Sequence, residues 1–109
     1  MTRGAIVVVA TRGAYTGKPR PALVVQSDRF NPTHASVTLC PITSDCVDAP
    51  LFRPGLPQGQ RTGLREDSQV MVDKIVTVPR TAIGSVLGAC TPGELETVDE
   101  TLRRWLQLE

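Results

Sequence analysis

Five apolar runs divide the chain: Ala5–Ala10, Ala22–Gln26, Ser36–Ile42, Gln69–Val78 and Ser85–Ala89. Each is short, rich in β-branched residues and set off by glycine, proline, asparagine or serine, a pattern that predicts strands and an all-β arrangement. Asn31-Pro32-Thr33-His34 predicts a turn between the second and third strands. Leu51-Phe52-Arg53 lies between Pro50 and Pro54 and predicts a short edge strand, because proline has no N–H to contribute to a ladder. Residues 54–63 are so rich in proline and glycine that they predict an irregular, mobile loop.

The period changes only near the C-terminus. Leu95, Val98, Leu102, Trp105 and Leu106 recur at the spacing of one helical face. Thr91 suits the N-cap, Pro92 the first helical position, and Glu94 stands where a capping box requires it. Glu94, Glu96, Asp99 and Glu100 come early and Arg103 and Arg104 late, as the helix dipole favours. The helix is expected to seal one side of a small, strongly curved sheet, with Trp105 in the core.

Composition narrows the picture. A chain of 109 residues with 40% apolar content supports one domain over residues 1–109, since single cores typically take about 100–150 residues. Tyr15, Phe30, Phe52 and Trp105 are its only aromatics, so the core must be aliphatic. A net charge of +1 excludes a broadly basic nucleic-acid-binding face. Local clustering would have to come from Arg12, Lys18, Arg20, Arg53, Arg61 and Arg65. Cys40, Cys46 and Cys90 are odd in number and form no CxxC pair, which favours reduced thiols and the cytosol over a disulfide framework. With His34 the only histidine, no zinc-ligand spacing exists. The run Ala5–Ala10 is too short for a secretory core, and no run approaches the ~18 apolar residues of a membrane span. A soluble cytoplasmic protein is expected.

The signatures GxSxG, HExxH, the P-loop and the dinucleotide fingerprint are all absent. What stands out is Lys18-Pro19-Arg20-Pro21-Ala22-Leu23-Val24-Val25-Gln26, which sets an arginine at the mouth of a strand with Pro21 behind it. A guanidinium fixed there can clamp a phosphate or carboxylate through two parallel hydrogen bonds. Thr38-Leu39-Cys40-Pro41-Ile42-Thr43-Ser44 ends another run in hydroxyls, and the two strand ends together suggest a single anion site.

Blander readings stand beside these. Arg20 could pair with Asp28 or Asp73, and Thr43 could simply cap a turn. Asp73 could orient Arg20, bind a partner, or occupy a bulge or solvated position. Tyr15, in a loop with Gly13, Gly17 and Lys18, could stack a base while Lys18 holds phosphate, or belong to an ordinary surface loop. His34, beside Asn31-Pro32, reads as an exposed loop residue.

Taken in order, Arg3-Gly4, Arg20-Pro21-Ala22-Leu23-Val24-Val25, Pro41-Ile42-Thr43-Ser44, Gly63-Leu64, Val72-Asp73-Lys74-Ile75 and the helix from Pro92 resemble the MazF/PemK toxins of bacterial toxin–antitoxin pairs. The resemblance covers nearly the whole chain. It departs at Ala5, where the family often has an acidic residue, in a short loop before Arg20 and in the long Pro-rich stretch before Gly63.

The resemblance implies a mainly β, small SH3-like (CcdB/PemK-type) barrel of five to seven strands with a C-terminal α-helix. It implies a metal-independent endoribonuclease with no cofactor, a homodimer with single-stranded RNA across its interface, and a cognate antitoxin. The 2′-hydroxyl attacks the phosphorus, leaving a 2′,3′-cyclic phosphate and a 5′-hydroxyl. Arg20 and Thr43 match the family's catalytic arginine and threonine, and Tyr15, Lys18 and Ser44 are the expected RNA contacts. Arginine stays protonated, with a pKa above about 12, so His34, Asp73 or solvent is left as the general base. A CcdB-like gyrase-binding toxin without nuclease activity, or an SH3-like binding module, is the alternative, and Trp105 would suit protein binding. The Arg20/Thr43 pair discriminates, because a binder needs no such pair.

Overall fold

A computed structural model describes residues 1–10 and 18–108. The apolar runs form β1 (Ala5–Val9), β2 (Arg20–Val24), β3 (Ser36–Thr43), β4 (Gly55–Leu56), β5 (Ser68–Val70), β6 (Val76–Pro79) and β7 (Ile83–Ala89). The helix α1 spans Pro92–Leu106. The strands make one antiparallel sheet in the order β4-β5-β3-β2-β1-β7, with β6 also paired to β3.

Side chains alternate across a strand, and here both faces are buried. On one face Ile6, Leu23, Cys40 and Ile42 meet Val98 and Leu102 of α1. On the other, Ala5, Val7, Val9, Ala22, Val24, Val37, Leu39 and Val78 bury one another with no helix over them, which the curl of the sheet into a half-barrel makes possible. Burial on both sides explains why the runs are continuously apolar rather than alternating. The core is aliphatic, as expected.

The predicted strand Gln69–Val78 is two strands. β3 pairs with β5 through Ile42↔Val70 and with β6 through Leu39↔Val76. Between these pairs two residues of β3 therefore face five of the opposing chain, and the surplus is taken up by a 3-10 turn at Val72–Lys74. Arg53 anchors that turn by gripping Asp73 through Nε and Nη2 at 2.7 and 3.1 Å.

Leu51-Phe52-Arg53 is likewise no strand. Phe52 N–H and Arg53 N–H both donate to Ala49 O, closing a turn. The ladder begins instead in the segment predicted to be irregular, where Gly55 and Leu56 pair with Gln69 and Ser68. Gly63, at φ +72°, lies so close to the Leu87 backbone that a Cβ would collide with it.

α1 begins as predicted. Thr91 Oγ1 accepts from Glu94 N–H at 3.1 Å and Thr91 N–H donates to Glu94 Oε1 at 2.9 Å. The same carboxylate takes two bonds from Arg61, 2.7 and 3.0 Å. Trp105 departs from expectation: it is 47% exposed and tilts against Phe52 with ring centroids 5.7 Å apart. The last turn of α1 runs beyond the sheet, so the helical stripe continues past the end of the core.

Candidate active site

Arg20 opens β2, opposite Val9 of β1. In the β2–β3 register, Ala22 faces Pro41, and continuing that ladder by two residues sets Arg20 opposite Thr43. Thr43 in turn faces Gln69, and Gln69 faces Gly55. Directly opposed side chains share a face, with Cβ atoms about 4.5–5.5 Å apart. Arg20 and Thr43 thus each lie two residues beyond the last paired positions of the β2–β3 ladder, at the same end of the two strands and on the face not covered by α1.

The partners proposed for Arg20 are engaged elsewhere. Asp73 is held by Arg53, and Asp28 accepts from Arg3 N–H at 2.7 Å and Asn31 Nδ2 at 2.8 Å. Arg20 is exposed, and the ion pairs found among the described residues are Arg3–Asp99, Arg53–Asp73 and Arg61–Glu94. The fork at the strand mouth is therefore available to an anion. Lys18 is exposed two residues earlier. Of the other candidate cations, Arg53 and Arg61 are used in holding the fold and Arg65 is exposed.

Thr43 ends β3 and does cap a turn, its Oγ1 accepting from Asp45 N–H at 3.0 Å. That bond uses one of the two lone pairs of the hydroxyl and leaves its O–H to donate. The structural and chemical readings of Thr43 are thus compatible. Ser44 is exposed on the same loop. The loop is gripped by Gln69, whose Oε1 accepts from Val47 N–H at 3.0 Å and whose Nε2 donates to Val47 O at 2.8 Å. Gln69 is absent from the sequence-based candidates because it reads as the polar start of an apolar run. Tyr15 and Arg12 lie outside the described residues.

Two expected roles do not survive. Both Asp73 carboxylate oxygens are taken by Arg53, whose guanidinium also holds the carboxyl below its ordinary value, so Asp73 is engaged in the fold and not with Arg20. His34 lies beyond the Ser36 end of β3, its carbonyl accepting from Arg80 Nε at 2.8 Å. At about 3.3 Å per residue, that strand end is ~23 Å from Thr43, out of reach within one chain. Cys40 and Cys90 offer no substitute, because burial pushes the Cys40 thiol up to about 12 and that of Cys90 to about 11. Among the described residues no cluster of His, Cys, Asp and Glu could hold a metal ion. Nor is any helix there long and apolar enough to cross a membrane.

Residues 2–106 match the family described as PemK-like, MazF-like toxin of type II toxin-antitoxin system. A probable endoribonuclease MazF from Mycolicibacterium smegmatis is 45% identical over 102 residues, covering 94% of this chain and 93% of its own. Among solved structures, Mycobacterium tuberculosis toxin MazF-mt6 superposes with a TM-score of 0.82 at 21% identity, covering 96% of this chain and 98% of its own. MazE-MazF (Form-I) from Deinococcus radiodurans gives 0.79 at 25% identity, over 98% and 96%. The fold is that of these toxins, a curled β-sheet closed by a C-terminal helix. Matched over almost its entire length, the chain belongs to the PemK/MazF family of type II toxins.

Proposed function

We propose that this chain is the toxin of a toxin–antitoxin pair and a sequence-selective, metal-independent endoribonuclease acting on single-stranded RNA. The observation that carries the reading is that the β2–β3 ladder ends at Ala22↔Pro41, two residues from both Arg20 and Thr43, which supports placing the guanidinium and a hydroxyl able to donate at one strand end. The Mycolicibacterium smegmatis relative, a probable endoribonuclease by name, supports it.

In the proposed reaction the 2′-oxygen attacks the adjacent phosphorus, the bond from phosphorus to the 5′-oxygen breaks, and a 2′,3′-cyclic phosphate forms. Arg20 neutralises the growing charge on the equatorial oxygens through its fork and supplies a proton to the departing 5′-oxygen. Thr43 donates to a non-bridging oxygen, a contribution of about 3–4 kcal/mol when such a donor is well placed. Lys18, Ser44 and Tyr15 hold the strand. Solvent takes the 2′-proton, since Asp73 is tied to Arg53 and His34 of the same chain lies at the other end of β3. The toxin works in the cytoplasm as a homodimer of single-domain chains. A cognate antitoxin with an acidic, apolar tail covers the basic groove, as the MazE-MazF complex of the Deinococcus relative suggests.

The test is cleavage of an RNA transcript by the purified protein in EDTA, with the 3′ ends of the products identified. Wild type is expected to cut and leave cyclic phosphate, and Arg20→Ala to be at least about a thousandfold slower. Inhibition by EDTA, or full toxicity of Arg20→Ala in cells, would overturn the proposal, and the latter result points to a target-binding toxin.

A further inference from the structure

We infer that Gln69 is a positioning residue for the Thr43 hydroxyl, acting through the loop between Thr43 and Ala49. The inference rests on the reading of Thr43 given above. The bond from Asp45 N–H to Thr43 Oγ1 turns the hydroxyl so that its proton points away from the loop, toward an arriving phosphate, whereas a threonine hydroxyl without it rotates to suit its surroundings. The position of Asp45 is therefore part of the site, and Asp45 sits on a loop with little else to hold it. The loop's own turn, Ala49 N–H to Val47 O, fixes its far half only. The Cys46 thiol makes a weak contact with Asp67 O at 3.7 Å.

Gln69 supplies what is missing. It stands in register with Thr43 on the neighbouring strand, so its side chain leaves the sheet on the same face. From there it both accepts from and donates to the Val47 backbone. A side-chain amide of this length can do both at once, whereas a carboxylate offers only acceptors and a thioether offers no donor. The arrangement is a short chain of geometry, from the β5 ladder through Gln69 to Val47, back along the loop to Asp45 N–H, and so to Thr43 Oγ1. A loss of this kind should appear in the chemical step, since small misplacements of a catalytic donor are costly while the binding surface stays intact.

The test uses the full-length toxin and an oligoribonucleotide containing a cut site mapped with wild type. Single-turnover cleavage reports the chemical step, and affinity for the same oligonucleotide with a 2′-deoxy residue at the cut reports binding. Gln69→Met, similar in volume but unable to bridge, is expected to slow cleavage about tenfold with unchanged affinity and melting temperature. Gln69→Glu, which keeps the acceptor for Val47 N–H, should fall between Gln69→Met and wild type. Added to Thr43→Val, Gln69→Met should cause no further loss.

Full-rate cleavage by Gln69→Met, a loss confined to affinity, or an equal loss in both backgrounds would overturn the inference. If Gln69→Met folds poorly, Gln69→Glu carries the same comparison, and its full activity with no change in the Thr43→Val background would count equally against it. A slow Thr43→Val beside a full-rate Gln69→Met would remove this inference alone. Thr43→Val cutting at full rate would remove the site reading on which it stands.

Discussion

The two ends of β3 are built from similar parts and finished differently. At the Ser36 end, Gln26 grips the strand: its Nε2 donates to Ser36 O at 3.1 Å and its Oε1 accepts from Thr38 N–H at 3.0 Å. Around it the polar groups close on one another. Asn31, buried, donates to Gln26 O and to Asp28, Asp28 accepts from the Arg3 backbone, and Arg80 donates to the carbonyls of His34 and Asn31. At the Thr43 end another glutamine grips a backbone, but the grip holds a loop, and beyond it stand a guanidinium and a hydroxyl with capacity to spare. One end uses its polar groups to complete the fold, whereas the other keeps them at the surface, where leaving a donor to water costs little and an arriving anion gains the bond. A satisfied network marks where the molecule is held, and the unsatisfied one is where the proposed reaction is placed.

That contrast can be broken from either side. Thr43→Val is expected to slow cleavage by about a hundredfold or more with little change in stability, and a melting temperature that falls while the rate holds would make the two ends alike. Gln26→Met should do the reverse. It strands the Thr38 N–H and Ser36 O, a loss of about 1–3 kcal/mol in denaturant unfolding, and the rate per folded molecule should match wild type. The smallest effect is expected from Asp73→Asn, read in acid. Arg53 depresses the Asp73 carboxyl below its ordinary value of 3.8. Its stabilising contribution is therefore complete above that value and drains away as pH falls through the lower folded one. Wild type should lose stability over that interval and Asp73→Asn should lose less, with neutral-pH cleavage unaltered in both. An equal acid slope would detach the Arg53–Asp73 pair from the fold.

What could be read from the sequence follows the range of the forces involved. Strands buried on both faces announce themselves as β-branched runs, so β1, β2 and β3 are found to within a few residues, and the exposed β7 is found as well. The capping box is local chemistry and appears as expected. Errors occur where a distant residue decides. The run 69–78 looks like one strand, and what divides it is Arg53, twenty residues earlier, reaching Asp73. β4 forms in a Pro- and Gly-rich stretch because β5 offers it an edge. The periodicity around Trp105 defines a stripe but carries no information about where the sheet beneath it stops.

The site divides in the same way. Arg20 and Thr43 are recognisable as types suited to a phosphate, and family resemblance singles them out, but their meeting depends on β2–β3 register. Asp73 and His34 attract attention as titratable groups, yet one is tied up by Arg53 and the other sits at the wrong end of the strand. Gln69 carries no charge and interrupts no pattern, so only the structure reveals what it holds.

Glu94 adds a coupling of another kind. Its carboxylate serves the N–H of Thr91 and the guanidinium of Arg61 together, and Arg61 belongs to the segment whose ends, Gly59 and Leu64, bridge each other. Fraying of the first helical turn and loosening of that hairpin are therefore a single cooperative event, so two elements far apart in the chain should exchange their amide protons on one timescale.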